Sequence, residues 1–156
     1  FKGFTPEAQE RDSMTKTITI INGPNLNLLG TREPEIYGTT TLADIKLLCE
    51  KTAKAYEVAI DFRQSNHEGD LIDWVQEVAH RAGGIIINAG GYTHTSVALH
   101  DALRAVTVPV IEVHLSDPKT RESFRHHSFI ESVAKRSICG HGAKGYVMAI
   151  EELSGT

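Results

Sequence analysis

The hydrophobic positions of this chain change period repeatedly, and the changes mark out its elements. Thr17 to Ile21, TITII, is too short for a surface helix and rich in β-branched residues, so it reads as an interior strand of a parallel sheet. Thr41 then caps a predicted helix whose apolar positions Leu42, Ile45, Leu48 or Cys49, and Ala53 recur at helical spacing. Val58 to Phe62 reads as a second strand, Ser65 to Gly69 as a turn, and Leu71, Trp74, Val75 and Val78 as the inward face of a second helix that Gly83-Gly84 stops.

The pattern continues to the end. Ile85 to Ile87 is a wholly apolar third strand that runs into Asn88-Ala89-Gly90-Gly91, after which Thr95 or Ser96 caps a helix through Ala105. Pro109 opens a fourth strand, Val110 to Val113. A fifth, near Ser137 to Cys139, leads through Gly140, Gly142 and Gly145 into a last helix carrying Tyr146, Val147, Ile150 and Leu153. Strands separated by helices of this length imply right-handed crossovers, hence a five-stranded parallel sheet in a flavodoxin-like α/β three-layer sandwich. Ligands in such sheets bind at the carboxyl ends of the strands, which gathers Asn25, Asn88, His114 and Ser116 along one edge.

Composition narrows the class. The 156 residues suit one domain, taken as 14–156, with Phe1 to Ser13 polar, unpatterned and read as a disordered tail or artificial extension. A net charge of −4 and a pI near 6.1 argue against a general nucleic-acid binder. No apolar run approaches the roughly 20 residues that span a bilayer, and neither Cys49 nor Cys139 has metal-ligand spacing. The expectation is a cytoplasmic protein without nucleic-acid or membrane partners.

Several residues are candidates for chemistry. Glu112 and His114 are two apart on a strand and share a face, so the carboxylate can orient and charge-stabilise the imidazole as a general acid; a polar pair satisfying itself at a strand end is an equal reading. Ser116, with the amides of Leu115 and Ser116, can form a nest for a carboxylate or simply a turn. Tyr37 has a phenol whose ordinary pKa is near ~10, too high for a base unless Arg32, or Arg121 and Arg125 beyond His114, approach it. Arg121 and Arg125 are spaced for one helical turn and one shared face. His94 stands out among the histidines because it joins the third strand's edge to a helix start. Gly83-Gly84 and Gly90-Gly91 fit no phosphate-binding fingerprint, and no metal-binding histidine motif occurs.

Taken together and in order, INGPNLNLLGTREPEIYG, DFRQSNHEGDLIDW, INAGGYTHTSVALHDAL, IEVHLSD, RESFRHHS and GYVMAIEEL resemble the type II 3-dehydroquinate dehydratases from Ile18 to about Leu153. The resemblance implies a flavodoxin-like subunit needing no cofactor or metal, assembled as a homo-dodecamer, a tetramer of trimers. It implies anti elimination of water from 3-dehydroquinate, with Tyr37 as base, Arg32 and Arg121 stabilising its phenolate and the developing charge, Asn25 at the enolate oxygen, and His114, positioned by Glu112, as acid. Asn88, the backbone of Leu115 and Ser116 with its hydroxyl would hold the carboxylate, Arg125 and His94 the ring hydroxyls. Asp101 would reach a neighbouring subunit's site, and Leu28 to Thr39 would act as a lid. Asp117-Pro118 departs from the family, where Asn more often follows the serine. A flavin- or nucleotide-binding module remains a competing class, and a Schiff-base dehydratase would need a buried lysine, for which Lys119 and Lys144 are the only nearby residues.

Overall fold

The computed structural model describes residues 15–155 apart from Arg32, with Tyr37 described in its backbone only; Phe1 to Ser13, read above as a tail, lie outside the described residues. The strands are β1 (Thr17–Asn22), β2 (Ala59–Gln64), β3 (Ile85–Asn88), β4 (Val110–His114) and β5 (Arg136–Cys139). They form one sheet in the order β2-β1-β3-β4-β5, every pair parallel. This is the flavodoxin-like order, in which the chain reverses direction across the sheet between β1 and β3 and leaves a crevice above their carboxyl ends.

The helices are a single turn α1 (Pro34–Tyr37), then α2 (Leu42–Ala55), α3 (Glu68–Glu77), α4 (Val97–Arg104) and α5 (Lys144–Ser154). Alternation along the strands sends Ile18, Ile20, Ile86, Ile111 and Val113 to one face, where they pack with Ile45 and Cys49 of α2 and Tyr146, Ile150 and Leu153 of α5. Ile21, Ile85, Ile87 and Val110 turn to the other face, against Leu71 and Val75 of α3 and Leu99 and Leu103 of α4. Both sheet faces are therefore covered, as the continuous apolar runs require. Thr41 caps α2 in a reciprocal box: its hydroxyl accepts from the Asp44 amide at 3.1 Å while its own amide donates to the Asp44 carboxylate at 3.0 Å. Between the two caps foreseen for α4 the chain uses Ser96, whose hydroxyl accepts from the Leu99 amide at 2.9 Å.

Three local expectations are corrected. Strand β2 begins at Ala59, because Glu57 turns the chain at φ 58° and the Val58 amide still bonds back to Ala53 at the helix exit. Trp74 packs against the core with Leu71, Val75 and Val78 as expected, partly buried, its ring also lying under the Arg63 guanidinium at 5.7 Å. Gly83-Gly84 does not stop α3, which ends at Glu77; instead a Cβ on Gly83 would sit 2.2 Å from the Thr17 carbonyl oxygen, so the turn lies backbone against backbone beneath β1. Arg121 and Arg125 do not share a helix. Pro118 starts a short 3-10 turn that Arg121 leaves in extended conformation, and Arg125 ends a second turn, Ser123–Arg125.

At the other end of the sheet Gly23 fixes the distance between the strands that carry the site. Its amide donates to the Asn88 carbonyl at 2.8 Å, and a Cβ there would fall 2.4 Å from the Ala89 carbonyl oxygen and 2.6 Å from its carbon. Neither atom can give way without moving backbone. Gly23→Ala is expected to destabilise the protein by about 1–3 kcal/mol, read as a lowered urea midpoint at unchanged slope. A midpoint equal to the parent's would show that the β1 and β3 exits separate freely.

Candidate active site

A cavity of about 230 Å³ opens above the carboxyl ends of β1, β3 and β4, and its lining brings together Asn25, Asn88, His94, His114, Leu115, Ser116, Arg121 and Arg125. Eight of the twelve residues singled out from the sequence thus converge at one place. Glu112 lies directly behind His114. Asp101 is exposed on α4 and does not line this cavity. Arg32 and the side chain of Tyr37 lie outside the described residues.

The chemistry centres on β4. Glu112 is 1 % exposed, and its Oε2 faces His114 Nε2 at 2.8 Å. It also accepts hydrogen bonds from the hydroxyls of Thr93, Ser128 and Ser137. Burial alone would push this carboxyl upward; the bond and charge of His114, with the Ser137 and Thr93 hydroxyls, overcome that and hold it at about 2. An ionised carboxylate only accepts, so His114 Nε2 carries a proton and Nδ1 is the ring nitrogen left for a ligand. Glu112 therefore fixes the orientation of the imidazole ring.

His94 has the complementary arrangement. Its Nδ1 lies 2.8 Å from the His127 carbonyl, an acceptor, so Nδ1 is the protonated nitrogen. Burial pushes its pKa down against the contrary pull of that hydrogen bond, and the nearby charges of His114 and Arg125 add to the lowering. Neutral His94 presents Nε2 as an acceptor suited to a hydroxyl.

The other cavity residues are set by their loops. Asn25 adopts a left-handed conformation, φ 69°, which asparagine tolerates better than most residues. Its amide donates to Asn66 Oδ1 at 3.0 Å, an atom that also accepts from Gln64 Nε2 at 3.2 Å, so the turn after β2 holds the turn after β1. Arg121 reaches Ser116 Oγ at 3.5 Å. Arg125 pairs with Glu122 and lies 4.9 Å from the Phe124 ring centroid. Among the described residues no group of three or more His, Cys, Asp or Glu is placed to hold a metal ion, and the buried charged residues include no lysine.

Asn22, Asn66, Gln64, Thr93, Ser128, Ser137 and Tyr146 were not singled out from the sequence. Asn22 had a visible signal, since it ends β1 as Asn88 ends β3. Ser137 had one only through register, being the β5 partner of Glu112.

Fold and cavity define a doubly wound α/β protein with a polar cavity, lined by histidine, asparagine and arginine, at the β1/β3 switch point. The chain belongs to the class II dehydroquinase family, whose model matches residues 16–154. A 3-dehydroquinate dehydratase of Rhodopseudomonas palustris is 60 % identical over 142 residues, covering 90 % of this chain and 94 % of that protein. One from Brucella canis is 55 % identical over 141 residues, covering 90 % of each chain. The crystal structure of the type II dehydroquinase from Propionibacterium acnes superposes with a TM-score of 0.86 at 36 % identity, covering 92 % of this chain and 99 % of that one. That from Butyrivibrio crossotus gives 0.84 at 43 % identity, covering 89 % and 97 %.

The depressed pKa of Glu112 has a consequence for stability. The folded chain takes up this proton near pH 2 whereas an ordinary carboxyl does so near 4.5, so the unfolded state is protonated first as pH falls. The stabilisation from ionised Glu112 is complete above about pH 5 and is lost as pH falls through 4.5 toward 2. Urea unfolding of the parent and Glu112→Gln should show a stability gap that is widest near neutrality and narrows below pH 4.5. A gap independent of pH would mean that Glu112 is not charged in the folded protein.

Proposed function

We propose that this chain is a type II 3-dehydroquinate dehydratase, eliminating water in the anti sense through an enolate to give 3-dehydroshikimate. The observation that carries the reading is the buried Glu112–His114 pair opening onto a cavity that also contains Asn88, Ser116 and two arginines. This combines a held acid with groups for a carboxylate and hydroxyls. Family membership supports the same chemistry.

In this mechanism the Tyr37 phenolate removes a C2 proton beside the ketone. Arg32 and Arg121 favour the phenolate and the charge that develops as the enolate forms, and Asn25 serves the enolate oxygen directly or through water. His114 then delivers the proton from its free nitrogen to the departing C1 hydroxyl, with Glu112 stabilising the imidazolium until transfer. Asn88, Ser116 and the backbone of Leu115 hold the carboxylate; Arg125 and His94 hold the ring hydroxyls, the latter through its accepting Nε2. The segment from Leu28 to Thr39 closes over the substrate and excludes water. The reaction needs no metal or cofactor. Asp101 acts at a neighbouring subunit's site in a dodecamer built as a tetramer of trimers, and the enzyme is cytoplasmic, serving the shikimate route to aromatic amino acids or quinate breakdown.

The product is a conjugated enone and the substrate is not, so the activity is read as rising ultraviolet absorbance when protein and 3-dehydroquinate are mixed with chelator. No rise from folded protein would remove the proposal. Tyr37→Phe and His114→Ala should each lower kcat by on the order of 10²–10⁴-fold with substrate binding retained; near-parental turnover in either would remove that residue from its role. Arg32→Ala should reduce kcat far more than affinity, because its charge acts mainly on the transition state. A change confined to KM would make it a binding residue instead.

A further inference from the structure

Tyr146 is a phenol with no exposure at all, and no step of the proposed reaction uses it. It projects from α5 onto the sheet face reached by Asn22 and Asn88, register partners at the ends of β1 and β3. The three polar side chains form one chain of hydrogen bonds. Asn22 Nδ2 lies 2.9 Å from the Arg63 carbonyl, Tyr146 Oη lies 2.7 Å from Asn22 Oδ1, Asn88 Nδ2 lies 2.9 Å from Tyr146 Oη, and the Gly90 amide lies 3.3 Å from Asn88 Oδ1.

The direction of this relay is fixed by its ends. A backbone carbonyl only accepts and a backbone N–H only donates. Asn22 must turn its NH2 to the Arg63 carbonyl, which leaves its oxygen for the phenol. The phenol spends its one hydrogen there and can only accept from Asn88. Asn88 must therefore face the phenol with NH2 and the Gly90 amide with oxygen, an assignment that heavy-atom positions alone would leave open to reversal. The far end is itself held, since Arg63 binds Asp61 at 2.8 Å and lies over Trp74. One hydrogen of the Asn88 amide remains for the cavity that Asn88 lines.

We infer that Tyr146 is a positioning residue, a buried phenol that, with Asn22, locks the Asn88 carboxamide so that a donor and not an acceptor faces the substrate carboxylate. Without the phenolic hydroxyl the amide can turn over, and its oxygen then repels the group it should hold. The loss falls on ground state and transition state alike, because the carboxylate takes no part in bond breaking. This inference rests on the proposed substrate and on Asn88 as a carboxylate donor.

Tyr146→Phe should raise KM for 3-dehydroquinate about tenfold while kcat changes less than about threefold. Asn88→Ala and the double variant Asn88→Ala/Tyr146→Phe should share one KM, because the phenol acts only through Asn88. Additive effects, or a fall in kcat with KM unchanged, would overturn the assignment. Neutron diffraction from deuterium-exchanged parental crystals requires no variant to fold. It should show deuterium on Tyr146 Oη directed at Asn22 and two deuterons on the Asn88 atom facing the phenol; the reverse order would overturn the inference. If the parental protein gives no enone, the dehydratase reading fails whatever the neutron map shows. If it turns over normally and Tyr146→Phe matches it in KM, only the positioning role fails.

Discussion

A carboxylate buried in the interior strand of a sheet is costly unless donors converge on it, and Glu112 sets that requirement for the whole region between β3 and β5. Its partners arrive from four segments: His114 on its own strand, Thr93 in the turn after β3, Ser128 in the crossover to β5, and Ser137 on β5. That need accounts for the irregular crossover. Ser128 serves Glu112 while accepting from the amides of Ile130 and Glu131, so the chain turns sharply where a helix would have carried the hydroxyl away. The same segment is strapped to the turn after β3 through the Phe129 amide on the Thr93 carbonyl, at 2.8 Å, and through His94 on the His127 carbonyl. The arginines that face the cavity leave from this crossover.

Most of the sheet was legible in the sequence because a wholly covered parallel strand must be apolar on both faces. TITII and Ile85 to Ile87 have no other economical placement. The Glu112–His114 pair was legible for a related reason, since spacing along a strand determines which side chains share a face. The hydroxyls around Glu112 were not legible. Thr93, Ser128 and Ser137 are brought to it by strand order and register, which link residues far apart in the chain. Tyr146 was hidden differently: it occupies an inward helical position where an aromatic ring satisfies the apolar pattern, and only the sheet register reveals that its hydroxyl meets two asparagines. The RxxxR spacing misled because Pro118 and the extended Arg121 replace a helix with two short turns, though both arginines still reach the cavity.

The site joins two kinds of support. The carboxyl ends of β1, β3 and β4 hold Asn88 and His114 through strand pairing, the Gly23 contact and buried side-chain bonds. Asn25, Arg121 and Arg125 instead ride on turns, where local hydrogen bonds to Asn66, Ser116 and Glu122 set their positions. Asn88 and His114 are thus on the stiffer support, and Asn25, Arg121 and Arg125 on the more compliant one.

At the opposite end of the sheet, Gly83 lies against the Thr17 carbonyl, while the Thr19 amide bonds to the Gly84 carbonyl at 3.1 Å. The amino ends of the strands meet there as bare backbone, with no side chain between them to be exchanged. The seam thus acts as a datum line: a substitution at the rim changes which groups are presented there, while the spacing from which they project is set at this end by main chain alone.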